Sequence, residues 1–382
     1  MTDALKGIER ARALAQLLQA KAQSLAAQGL EKAKLVKAIL DLRRQLGMMV
    51  SELSTVVSRI MDRPLDLGNT LTSKSYSEQM RYWLPDLDIS VDSMDAENAK
   101  GTAAAIEKVA VEYPEVFRKH NVINIIGTGK DLKKMRNLQE KRVEEALDSY
   151  AEKNGLIQEK EAEYEEVYGK FFQGLVVESG SVSRYSARNI AKFLFISEEK
   201  EVKSLLRQNV ISLDELKQIY KKVKVRRMAR GEAAKVLKEE NPDLFLTHIP
   251  NFRGMQQQRG TYAMYVRDIG VIATTMFEKN IGDAYNRDVG SNWHPKGTGG
   301  EAPHQAATSV MLHELGHAMD RLLGLRENDI IFGIWSQNDK QVIEEGISRY
   351  AATNIAEMIA EAFCEYKMSA SPRALAMQIG TV

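Results

Sequence analysis

Cysteine is all but missing from this chain: Cys364 stands alone among 382 residues. That excludes an intrachain disulfide and any Cys₂His₂ or Cys₄ zinc site, and leaves histidines and carboxylates as the available metal ligands. It also fits a reducing compartment, so a cytoplasmic location is expected. No run approaches the ~18 apolar residues of a membrane span, and Asp3, Lys6, Glu9 and Arg10 fall where a signal peptide needs its apolar core. A dominant charge is missing too. A net charge of +1 argues against the whole chain being a nucleic-acid binder. Hydrophobic content of 44% and charged content of 27% are those of an ordinary globular protein, and the length exceeds one typical core, so two or three domains are expected.

Taken in order, residues 4–63 read as helix. Leu35, Ile39, Leu42, Leu46, Met49, Leu53, Val56 and Ile60 step by four and three, a heptad seam ended by Arg63-Pro64. Gly29 suggests that an earlier helix folds back on this one. A helical hairpin packed on its own chain is the simpler reading, and a coiled-coil partner or second copy bound through 35–60 is the other. Residues 64–100, with Pro64, Gly68 and Pro85 among many polar side chains, read as a linker. A helix is expected over Ala103–His120, broken near Pro114, then a strand over Val122–Ile126. The following Gly127-Thr-Gly-Lys130 lacks the spacing of a phosphate loop. Residues 130–250 are helical and heavily charged, as solvated faces are, with one concentrated basic run at 221–230 that nearby Glu232, Glu239 and Glu240 dilute. Gly260–Thr275 has the β-branched and aromatic content of a strand pair turning near Asp268–Gly270.

The chemistry concentrates in His313-Glu-Leu-Gly-His317, on a helix expected from about His304 to Leu323 with Gly324 past its end. Histidines four apart on a helix share one face, so both imidazoles can reach one ion, with Glu314 beside the ion's water as general base. A third ligand must come from elsewhere. Asp320 lies on the same helix, where its short side chain points past the ion. Glu357, on a final helix beginning near Asn354, can close the set from another direction. Ala356, Ile359, Ala360, Ala362 and Phe363 make that helix apolar, and a buried glutamate needs a cation or a hydrogen-bond partner. Glu361, one turn later, is placed to receive the other ring N–H of His313, and Asp320 to serve His317 or cap a nearby group. By spacing alone Tyr350 is as much a packing tyrosine as a donor to an oxyanion. His294 and His304 read most simply as loop or helix-start residues, with extra ligands or substrate contacts as the other reading.

The pair of segments His313-Glu-Leu-Gly-His-Ala-Met-Asp320 and Tyr350-Ala-Ala-Thr-Asn-Ile-Ala-Glu-Met-Ile-Ala-Glu-Ala-Phe363 resembles the catalytic domain of the anthrax-lethal-factor family of zinc peptidases. The resemblance covers about 310–366. It implies zinc ligands at His313, His317 and Glu357, a general base at Glu314 and an oxyanion-stabilising phenol at Tyr350. Trp293-His-Pro-Lys-Gly297 and Ser371-Pro-Arg-Ala-Leu-Ala376 also look like flanking segments of metallopeptidase-like domains in bacteriophage minor head proteins. That likeness implies a phage origin, with a place in the host cytoplasm or the virion.

The expected chain is therefore mainly α within an α+β class. It has a helical hairpin or coiled coil over 1–63, a linker over 64–100, the start of a zincin-like domain over 101–129, a charged helical insertion over 130–250 and the catalytic core with a small mixed sheet over 251–382. The expected function is that of a Zn²⁺-dependent endopeptidase acting on a protein or peptide. A virion-associated assembly protein that uses the same fold to bind, with little catalysis, is the alternative.

Overall fold

The computed structural model of the protein describes residues 54–118, 122–168, 181–245, 249, 261–274 and 279–382. Residues 35–53 of the heptad seam, and all of the helical reading before residue 54, lie outside the described residues. The last two seam positions are described, Ile60 buried in the main core and Val56 packed against it. The chain is mainly helical, with a small mixed sheet of four strands. It divides into two compact units, one made of residues up to Lys134 together with Ile249–Val382, the other of Met135–His248.

In the first unit, helix α1 (Ser73–Trp83) starts where the Thr72 hydroxyl accepts from the Ser75 N–H, and buries Tyr76, Met80 and Trp83. Strand β1 (Asp88–Ser90) follows, then α2 (Ala96–Glu112), capped by Asp95. Residues 64–100 are thus no linker: Leu84, Leu87, Ile89, Val91 and Met94 all sit in the main core. Their polar neighbours are spent inward. The Ser77 hydroxyl accepts from the Val91 N–H at 2.9 Å, and the Trp83 indole donates to the Arg63 carbonyl at 2.8 Å. Polar content misleads where each polar group has a buried partner.

Helix α2 ends before Pro114, which opens a 3₁₀ turn at Pro114–Phe117. Strand β2 (Ile125–Thr128) falls two to three residues later than the sequence pattern suggested, and α3 (Gly129–Lys153) carries the chain into the second unit. On return come β5 (Ala263–Val266) and β6 (Val271–Thr274), joined by a turn in which Gly270 takes φ +64. The sheet order is β1-β2-β6-β5, parallel except for the β5–β6 pair, which registers Ala263 with Thr274 and Val266 with Val271. Among the described residues, the outer edge of β5 has no partner strand.

Helix α8 (Gly282–Gly290) leads to α9 (Gln305–Leu323), which Gly324 ends in the left-handed conformation at φ 64. Short helices α10 (Asp329–Gln337) and α11 (Lys340–Gly346) precede α12 (Ile355–Met368) and α13 (Ala374–Gly380), the last of these beyond what the sequence pattern marked. Helix α9 is buried along most of its length and packs on both α2 and α12. Two glycines permit the close approach. A Cβ at Gly101 of α2 would lie 2.8 Å from the Ala307 Cβ, and one at Gly316 would lie 2.8 Å from the Ala360 Cα of α12.

The second unit holds the rest of α3, then α4 (Leu156–Tyr168), β3 (Ser181–Ser183), α5 (Arg184–Phe193), α6 (Lys200–Leu205), β4 (Val210–Ser212) and α7 (Leu213–Glu240). Its own core includes Tyr164, Ile196, Ile211 and Leu216, and β3 pairs antiparallel with β4, a ribbon that the charge pattern did not foretell. The basic run 221–230 is met by acids, though different ones from Glu232, Glu239 and Glu240. Lys221 pairs with Glu165, Lys222 and Arg226 with Glu201, Arg227 with Glu199, and Arg230 makes a two-toothed pair with Asp148 at 2.6 and 2.7 Å. Among the described residues no helix is long and apolar enough to cross a membrane.

Candidate metal centre

Helix α9 presents His313 and His317 one turn apart, and α12 crosses it so that Glu357 meets both. The start of α12 is set by Asn354, whose side chain accepts from the Glu357 N–H at 3.0 Å. That cap fixes Glu357 in the first helical turn, where the helix N-terminus favours an anion, and Glu361 one turn on. The His313 and His317 Nε2 atoms lie 3.1 Å apart, and Glu357 Oε2 is 3.1 Å from the first and 3.3 Å from the second. Those three are the only group of this kind among the described residues whose ligand atoms converge closely enough to hold a metal ion.

The triangle can be tested against an ion. A tetrahedron with bonds of roughly 2.0–2.1 Å has edges of about 3.3 Å, the spacing of these three atoms. Glu357 Oε2 is buried and receives no directed hydrogen bond, so a close-packed carboxylate oxygen lacks a partner of its own. Three carboxylates, Glu314, Glu357 and Glu361, surround two imidazoles, and Glu314 and Glu361 are 5% and 1% exposed. The site is short of positive charge, and a divalent cation fits it.

The titration of these groups tells the same story. Burial works against a charged His313, yet the close Glu357 and Glu361 carboxylates overcome it and hold the imidazole well above its usual range. Burial alone would raise Glu357, but the His313 and His317 imidazoles close beside it outweigh that penalty and keep the carboxyl strongly acidic. For Glu361 the burial penalty is overturned by the His294 charge and hydrogen bond and by the His313 imidazole close beside it, which bring it to about 2. Glu314 differs: desolvation dominates, and its pKa is raised despite the two imidazoles.

Glu361 organises a second layer. Its Oε1 is 2.7 Å from His313 Nδ1, although it lies off the line of the ring N–H, so the contact is an ion-pair distance without a directed hydrogen bond. The same carboxylate takes His294 Nδ1 at 3.1 Å and the Ser348 hydroxyl at 2.9 Å. His294 is therefore no simple loop residue. It is buried, stacked on Tyr285 with ring centroids 4.8 Å apart, and edge-on to Tyr350 at 5.8 Å. Sequence gave little warning, because its partner Glu361 lies 67 residues away. The one signal was a histidine held between Trp293 and Pro295 just ahead of α9. His304 sits apart, its Nδ1 3.8 Å from Glu97.

Of the two tasks read for Asp320, it takes the second, capping a nearby group rather than serving His317. Its carboxylate accepts from the Arg326 N–H at 3.1 Å and from the Arg326 Nε at 2.5 Å, which pins the turn beyond Gly324. Tyr350 precedes a 3₁₀ turn at Ala351–Thr353, since α12 does not extend back to it. Its ring stacks on Trp293 at 5.4 Å and lies nearly parallel to His313 at 5.7 Å. Burial, then the Glu357, Glu314 and Glu361 carboxylates, push its phenol well above the usual range, so it is a neutral donor.

Two open cavities flank the cluster. One of about 520 Å³ is lined by Tyr262, Tyr285, Asp288, Trp293 and His294. The other, of about 360 Å³, is lined by Met264, Tyr265, Arg267, Arg326 and Glu357. Both reach His313, Glu314, Tyr350, Thr261 and the first β5 residue, Ala263. Comparison with protein-family models, with curated proteins and with solved structures gives no match.

Proposed function

We propose that the protein is a zinc endopeptidase, and the observation that carries this reading is the His313–His317–Glu357 triangle with Glu314 and Tyr350 beside it. Zn²⁺ in that triangle would lower the pKa of a bound water to about 7 and polarise a carbonyl. Glu314, whose buried carboxyl has a raised pKa, is suited to take a proton from the attacking water and hand it to the leaving amine. The Tyr350 phenol, neutral and held by Trp293, donates to the oxyanion that forms at the attacked carbonyl. Glu361 holds His313 from behind, which orients the imidazole and sets its tautomer. The edge of β5 that has no partner strand among the described residues runs past both cavities, so an extended peptide can add to it as a further strand.

The test is metal analysis combined with one substitution. Purified protein should carry about one zinc, and His317→Ala should lose it. Glu314→Gln should keep the zinc and lose cleavage of a peptide library read by mass spectrometry. A Glu314→Gln protein that cuts at the wild-type rate overturns the assignment of the base. Wild type that binds zinc and cuts nothing returns the reading to a binding or assembly module.

A further inference from the structure

The two cavities beside Glu314 differ in charge. The larger one is walled by aromatic rings, among them Tyr262, Tyr285 and Trp293, and no lysine or arginine lines it among the described residues. Of its three carboxylates, Glu314 and Glu361 already have partners or tasks at the metal cluster. Asp288 does not. Its Oδ2 accepts from the Tyr262 hydroxyl at 2.6 Å, and among the described residues its Oδ1 receives no hydrogen bond. The smaller cavity is lined instead by Arg267, and by an Arg326 already paired with Asp320.

We infer that the Asp288 cavity receives the side chain of a lysine or arginine in the peptide substrate, next to the bond that is cut. This rests on the peptidase reading and adds its substrate class. A free carboxylate oxygen supplies a charge-assisted hydrogen bond to an ammonium or guanidinium group. The ring faces add an attraction for the same cation, which a neutral side chain would not feel. Tyr262 spends its hydroxyl on Asp288 and so fixes the direction of the carboxylate. Arg267 at the other end repels a cation, so the basic residue is accepted on the Asp288 side of the bond only.

The experiment uses full-length, zinc-loaded Glu314→Gln protein, which holds a peptide without cutting it. Fluorescence anisotropy is followed for labelled peptides that differ at one position, occupied by Arg, Lys, Leu or Glu. The basic peptides should bind about tenfold to a hundredfold more tightly than the leucine peptide, with glutamate weakest. Asp288→Asn, which keeps an acceptor for Tyr262, should remove most of that preference, and Asp288→Lys should turn it towards glutamate. Zinc content and melting temperature of each variant show whether it is folded. Equal binding of the four peptides, or a preference that survives Asp288→Asn, overturns the inference. Cleavage by wild type is scored separately. Peptides cut without regard to charge overturn this inference and leave the peptidase reading standing. Peptides bound with the charge preference but never cut do the reverse.

Discussion

Glu361 Oε1 stands 2.7 Å from Nδ1 of His313, so one of the two imidazoles in the candidate metal cluster is backed by a carboxylate that solvent does not reach. Glu361→Gln keeps the shape and removes the charge. Zinc affinity should fall about tenfold to a hundredfold, the usual cost of a lost outer partner. Competition against a chromogenic chelator measures it, and an unchanged affinity would take Glu361 out of the metal site.

Gly316→Ala sets two effects against each other. Alanine gains about 1 kcal/mol of helix propensity over glycine. The new methyl, however, falls 2.8 Å from the Ala360 Cα, a backbone atom that cannot rotate away. Overpacking of that kind costs about 1–3 kcal/mol, so a net loss is expected. Thermal unfolding should show it, with weaker zinc binding in parallel because α12 carries Glu357. A stabilised variant would mean that the two helices are not held at this distance.

For Tyr350→Phe the packing on Trp293 stays and the donor goes. The proposed peptidase should lose about 10²–10³ in kcat while its zinc content is unchanged. Loss of zinc instead would make the phenol a structural support of the cluster.

In the second unit, Arg230 grips Asp148 and holds its carboxyl below the ordinary value of 3.8, first through their hydrogen bonds. A carboxyl whose pKa is depressed by folding stabilises the protein above the unfolded-state value and loses that contribution as pH falls through the folded one. At pH 7 Asp148→Asn should therefore destabilise, by no more than about 1 kcal/mol, since the pair is partly exposed. The difference from wild type should shrink as urea titrations are taken below pH 4. A gap that stays constant with pH would assign the effect to packing.

Local chemistry was the legible part of the sequence. The histidine spacing, the Gly324 stop, the break at Pro114 and the β5–β6 turn each follow from a few adjacent residues, and the described elements sit within a few residues of those readings. What stayed hidden depends on distance along the chain. His294 gains its meaning from Glu361, and residues 64–100 gain theirs from a core assembled from several elements. Asp320 keeps the capping role read for it, but its partner was hidden for a related reason. Its position on α9 is visible in sequence, but the turn that returns Arg326 to it is not.

The lone thiol acquires a use from where it lies. Cys364 on α12 is fully buried, with its Sγ 3.2 Å from the Ser309 carbonyl of α9. A reagent for thiols can react only when these two helices part, and no second cysteine adds background. The rate of labelling in native buffer is thus a clock for the opening of the interface that carries the candidate ligands, readable in the wild-type chain without any probe being introduced. Adding zinc should slow that clock.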